Sequence, residues 1–154
     1  MKRHPALIRL SSDHHQALLL SQLIKKDAPK YFTLPNNIID KMNYAKEIYK
    51  KELEHHFKDE EELLFPYIKG KDESLDKLIS EIMDEHIVLK NKILGLIENP
   101  DLPDQLDEIS KILELHVRKE ERQVFEKTQT LLSNDELEVI KNNFDKSRND
   151  FPKI

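Results

Sequence analysis

Apolar residues recur along this chain at intervals of three and four, the spacing that gathers them on one face of an α-helix. A first helix is predicted to begin near Ser11 or Ser12, either of which can cap it, and to run to about Lys26, ahead of Pro29 and a loop through Pro35. A second starts at Asn36 or Asn37, carries Met42, Ala45, Tyr49, Leu53 and Leu63/Leu64, and stops at Pro66. Gly70-Lys71-Asp72 marks a turn, after which Leu75, Ile79, Ile82, Leu89, Ile93 and Leu96 predict a third helix ending at Asn99-Pro100. A fourth follows Asp101 to Asp104, with Leu106, Ile109, Leu113, Val124 and Leu131 on one side. Ser133-Asn134-Asp135-Glu136 has the form of a capping box, so a short fifth helix is predicted over Glu136 to Phe144, before a polar tail. Long amphipathic segments joined by short connections predict an all-α fold: an up-down-up-down four-helix bundle with a short C-terminal fifth helix.

Polar residues break these stripes at matching places. Leu53, His56, Glu60 and Leu63 follow one another at spacings of three, four and three, so His56 and Glu60 continue the inward face of the second helix. Leu113, His116, Glu120 and Val124 do the same on the fourth, and His86 falls between Ile82 and Leu89 on the third. On the first helix the candidates are His14, in line with Leu7, Leu10, Ala17, Leu18 and Ser21, and His15, in line with Ile8, Ser12, Leu18, Leu19 and Gln22. His14 is favoured, because Asp13-His14 then matches Glu85-His86 and the chain becomes two helix pairs, each reading acid-His followed by His-x-x-x-Glu-Glu. A buried carboxylate without a partner costs several kcal/mol or loses its charge, and two in one small bundle call for a cation.

One His-x-x-x-Glu would carry little weight, since roughly one is expected from composition, whereas two copies of His-x-x-x-Glu-Glu with an aromatic at the same offset form a specific signal. His4 and His55 lie off the inward faces. The chain has no cysteine, so thiolate and iron-sulfur ligation are excluded and any metal is held by nitrogen and oxygen. At 154 residues, with only two glycines and no Pro/Gly-rich seam, it reads as one domain, 1–154, with its core over about 11–132 and the short helix and tail over 133–154. A formal charge of −5 without a basic run argues against nucleic acid as a partner. No apolar run approaches a membrane span, and Arg9 and Asp13 interrupt the N-terminal apolar segment before it could act as a signal, so the expected location is cytoplasmic.

The order His, His-x-x-x-Glu, His, His-x-x-x-Glu on successive helices resembles the hemerythrin-like, or HHE cation-binding, domain, a resemblance sharpest at His56-Phe57, Glu60-Glu61 and Leu64-Phe65-Pro66. It implies a non-haem di-iron centre in the core, with His14, His56, His86 and His116 as terminal ligands and Glu60 and Glu120 as bridges. The chain departs from the oxygen-carrying hemerythrins in two respects. Those carry a second histidine one turn away on the third helix, where this chain has Ile82 and Lys90, and their last motif is His-x-x-x-x-Asp rather than His116-x-x-x-Glu120. Four histidines in place of five leave water, His15, Tyr49 or Tyr67 to complete the shell and weigh against reversible oxygen carriage. The lack of cysteine and of an extra N-terminal domain weighs against the di-iron proteins that repair iron-sulfur clusters.

Imidazole and carboxylate ligands suit manganese and zinc as well as iron, and the expected cofactor is two iron ions because of the bridged arrangement the resemblance implies. Three functions follow as expectations: binding or sensing of O2, related diatomics, iron or oxidants; a di-iron enzyme of the peroxidase or nitric oxide reductase type, acting on peroxide or NO; and an interaction module with a structural metal. An aliphatic shell of Leu10, Leu53, Ile82, Leu89 and Leu113 would shield such a centre from water.

Overall fold

The computed structural model describes residues 2–30 and 33–149, all of whose regular elements are helical. We number five helical segments: α1 (Pro5–Ile24), α2 (38–68), α3 (Glu73–Leu94), α4 (102–131) and α5 (Asn134–Asn149). None is long and apolar enough to cross a membrane. Two segments contain π-helical turns: α2 at Tyr49–Leu53 and Glu60–Leu64, and α4 at Glu120–Val124.

Local chemistry explains the ends. α1 starts well before the predicted Ser11 or Ser12, because Pro5 suits the first turn and the His4 ring accepts a hydrogen bond from the Ala6 N–H at 3.0 Å. Asn37 caps α2 through the Asp40 N–H at 2.9 Å, and Asp72 caps α3 through the Leu75 N–H at 3.0 Å, just after Gly70 turns the chain at φ 87°. Pro66 does not stop α2. It falls in the first turn of the last α-helical stretch, Phe65–Ile68, where a missing N–H is tolerated. α3 ends at Gly95, short of Asn99-Pro100, although Leu96 remains buried. Ser133 and Glu136 form the predicted reciprocal capping pair, and the helix behind them is longer than expected, reaching Asn149. The polar tail beyond it lies outside the described residues.

The π turn in α4 also corrects one core position. An extra residue in a turn advances the inward face by one position, so Phe125, Thr128 and Leu132 are buried while Leu131 is 42% exposed.

Two apolar clusters form the core. One joins Leu20, Met42, Leu53, Leu89, Leu106 and Leu113; the other joins Leu7, Leu64, Ile82, Val124, Ile140 and Phe144, with α5 closing that end of the molecule. α1 and α4 approach closely where Ser21 Oγ donates to the Ser110 carbonyl at 2.9 Å and Ser110 Oγ donates to the Ser21 carbonyl at 2.7 Å, both residues buried. Small side chains permit this approach. Ser110→Leu should therefore destabilise the fold by about 1–3 kcal/mol through overpacking, and Ser110→Ala by about 1 kcal/mol through the lost hydrogen bonds. Urea unfolding midpoints check both; a leucine variant as stable as the parent would contradict the close approach.

Candidate metal centre

Between the two apolar clusters lies a polar layer drawn from four helices. His14 of α1, His56 and Glu60 of α2, His86 of α3, and His116 and Glu120 of α4 are all buried, both glutamates completely. Their ligand-capable atoms fall into two groups that share both carboxylates. His14 and His56 join Glu60 and Glu120 in one, His86 and His116 join the same glutamates in the other, and the atoms of each group lie within 4.8 Å of one another. Glu60 Oε1 is 3.4 Å from His56 Nε2 and 3.2 Å from His86 Nε2; Glu120 Oε1 is 2.7 Å from His116 Nε2 and 3.7 Å from His14 Nε2. Each glutamate thus reaches one histidine of either group.

No hydrogen bond satisfies these inner atoms. The Nε2 atoms of all four histidines and the four oxygens of Glu60 and Glu120 are buried without a hydrogen-bond partner. Eight orphaned donor-set atoms around one space, all nitrogen or carboxylate oxygen, fit borderline divalent cations. Burial alone pushes the Glu60 carboxyl up, but the surrounding His56, His86 and His14 imidazoles hold it below the ordinary carboxylate range. Burial lowers the His116 pKa against the opposing pull of Glu85, which favours the neutral imidazole a metal ligand requires.

A second set of carboxylates faces the outer nitrogens. His14 Nδ1 pairs with Glu121 at 2.9 Å, His56 Nδ1 with Asp13 at 3.0 Å and His116 Nδ1 with Glu85 at 2.8 Å. With Nδ1–H given to a carboxylate, each Nε2 lone pair points inward. His86 differs: its Nδ1 lies 3.5 Å from Glu61 Oε2 and has no hydrogen-bond partner. Glu121 is drawn down to about 2, since the His14 hydrogen bond and the charges of His14 and Arg3 outweigh the upward push of its burial. Glu85 is likewise lowered, as His116 and Lys119 overcome its desolvation.

The two helix pairs repeat in space as in sequence. Asp13 and Glu85, each one residue before a layer histidine, hold the histidine of the other helix in their own pair, while Glu61 and Glu121 reach across to the opposite pair. Phe65 lies parallel to the His86 ring at 6.3 Å and Phe125 to the His14 ring at 5.6 Å. In both pairs a π turn begins at the inner glutamate, Glu60 or Glu120. A π turn inserts a residue where the helix must serve two directions, here the inner Glu60 or Glu120 and the adjacent Glu61 or Glu121.

All six residues singled out from the sequence therefore meet in one layer. Of the pair on α1, His14 is buried and His15 exposed. Tyr67 is exposed and its hydroxyl accepts a hydrogen bond from Asn143, so it does not approach the layer. Tyr49 is buried edge-on to Phe57, and burial together with Glu54 and Glu61 pushes its hydroxyl up to about 12. His4 caps α1, and His55 is half-buried near Asp59. Sequence reasoning gave no role to Asp13, Glu61, Glu85 or Glu121. The signal for them was the repeated acid-His and Glu-Glu pairs, whose second members or predecessors fall on the helix flank beside the layer.

Comparison with known proteins agrees with this geometry. The family described as the hemerythrin HHE cation binding domain matches residues 6–128. No curated protein and no solved structure gives a significant match. The matched span begins in the first turn of α1, ends near the close of α4 and contains every residue of the buried layer, and the chain belongs to the hemerythrin HHE cation-binding domain family.

Proposed function

We propose that the protein holds a carboxylate-bridged pair of iron ions and uses it to bind or sense dioxygen, a related diatomic, iron or oxidants. The observation that carries this reading is the sharing of Glu60 and Glu120 between two histidine pairs. His14 and His56 would hold one ion, His86 and His116 the other, and the two glutamates would bridge them. The up-down-up-down order of α1 to α4 belongs to the same reading, supported by the alternating halves of the helices that enter each apolar cluster. So does a cytoplasmic location, supported by the sequence alone.

Bound ferrous ions would supply redox chemistry toward small oxidants; the protein's part is to orient, insulate and limit access. Asp13, Glu85 and Glu121 fix ring orientation through Nδ1. Leu10, Leu53, Ile82, Leu89 and Leu113 are all buried and would keep water from a bound metal, slowing uncontrolled oxidation. Protein reconstituted anaerobically with ferrous ion is expected to hold two irons per chain and to gain near-ultraviolet charge-transfer absorption on exposure to air. His56→Ala with Glu120→Ala should abolish both, and retention of two irons by that double variant would sink the assignment.

The outer carboxylates generate a separate expectation. Asp13→Asn leaves His56 in place but loses the charged acceptor at Nδ1, which should weaken metal retention by about 10–100-fold. Competition against a chelator measures this; unchanged retention would mean that Asp13 does not orient the ring.

A further inference from the structure

The near-symmetry of the layer fails at its surface, and the failure is informative. On the His14 side the chain's own N-terminus covers the site. Arg3 donates to the Glu121 side chain at 2.8 Å, to the Glu121 carbonyl at 2.9 Å and to Gln129 at 3.1 Å, and its guanidinium lies over the Phe125 ring at 5.4 Å. Gln129 in turn donates to the Lys2 carbonyl at 2.9 Å, pinning the strap.

On the His86 side Glu61, Phe65 and Lys69, which match Glu121, Phe125 and Gln129, border a surface cleft instead of lying under a strap. Another cleft, of about 370 Å³ between α2 and α3, is bordered by Tyr49, Glu54, Phe57, Glu61 and Glu62 and reaches His86. Lys58 and Lys90 also stand at its rim, so three carboxylates face two ammonium groups. Glu61 is half-exposed and separates this cleft from the first, of about 510 Å³ along Phe65, Ile79 and Met83. At the inner end, His86 is 4% exposed, yet its Nδ1 has no hydrogen-bond partner and the Glu61 carboxylate stands 3.5 Å away. The other three layer histidines are clamped at 2.8–3.0 Å. His86 is held instead by stacking on Phe57, ring centres 4.0 Å apart and planes 13° from parallel, a contact that permits sliding where a hydrogen bond would fix direction.

We propose that divalent cations reach the buried layer through this cleft, with Glu61 as the receiving carboxylate and His86 as the ligand that turns outward to take the ion. This rests on the metal-centre reading above. Glu61 alone among the outer carboxylates combines exposure to the cleft with proximity to an unclamped layer histidine. Its negative charge at a narrow, partly apolar opening concentrates cations there, an effect that raises association rates by roughly tenfold or more. On the His14 side Arg3 places a positive charge on Glu121 and a guanidinium over Phe125, which repels cations there.

Anaerobic stopped-flow mixing of the metal-free 154-residue chain with cobalt(II), read by its visible ligand-field absorption, tests the route. Glu61→Gln is expected to slow uptake by about tenfold while the final cobalt content equals that of the parent chain. Glu98→Gln, which removes the same charge from an exposed position in the loop after α3, should take up cobalt at the parental rate. Ile87→Trp narrows the mouth from an exposed rim position and should also slow uptake without changing the final content. An unchanged rate in Glu61→Gln and Ile87→Trp, equal slowing in Glu98→Gln, or a lowered final content in Glu61→Gln would overturn the route. Failure of the parent chain to bind cobalt at all would instead overturn the metal-centre reading, so the two are separable.

Discussion

Glu60 and Glu120 sit at the middle of the molecule, fully buried, with no hydrogen-bond donor on any carboxylate oxygen. Two such groups in a low-dielectric interior repel each other and forfeit hydration, at a cost of several kcal/mol per ion even after relaxation. The four histidines turned toward them offset part of this, but their Nε2 atoms are themselves orphaned. The layer is thus unsatisfied as a set of protein groups, while its nitrogens and carboxylate oxygens are of the kind that could hold a metal ion. Around it the chain arranges two apolar clusters, one toward each end of the bundle, which supply the burial energy that lets an unsatisfied middle persist.

The same constraint accounts for the outer features. A histidine whose inner nitrogen must stay unprotonated and correctly aimed needs its other nitrogen occupied, and Asp13, Glu85 and Glu121 provide this for three of the four. These carboxylates are stabilised in turn by Lys119, which reaches Glu85 at 2.5 Å, and by Arg3 on Glu121. The arrangement spreads charge outward from the layer to the surface in alternating steps. It is interrupted at His86, where stacking on Phe57 replaces the clamp and a surface cleft reaches the ring.

Much of this was legible in the sequence because helical periodicity is a strong signal and a buried charge is a conspicuous interruption of it. The stripes through Leu53, Ile82 and Leu113 locate His56, His86 and His116 on inward faces, and the repeat of Asp13-His14 in Glu85-His86 separates His14 from His15. The π turns are not legible, since nothing in residues 60–64 or 120–124 distinguishes a widened turn from an ordinary one; hence periodicity puts Leu131 inside where Leu132 belongs. Pro66 and the early start of α1 at Pro5 mislead for a related reason. Proline ends a helix in its interior and suits its first turn, and which case applies depends on hydrogen-bond register that sequence does not display. The Arg3 cover joins residues more than a hundred positions apart, so only the fold reveals it.

Whether two cations share Glu60 and Glu120 can be read by anomalous diffraction at the iron absorption edge, from crystals of the anaerobically reconstituted protein. Two peaks are expected inside the bundle, one beside His14 and His56 and the other beside His86 and His116, both in contact with the two glutamates. A single peak, or peaks lying away from Glu60 and Glu120, would rule the shared pair out.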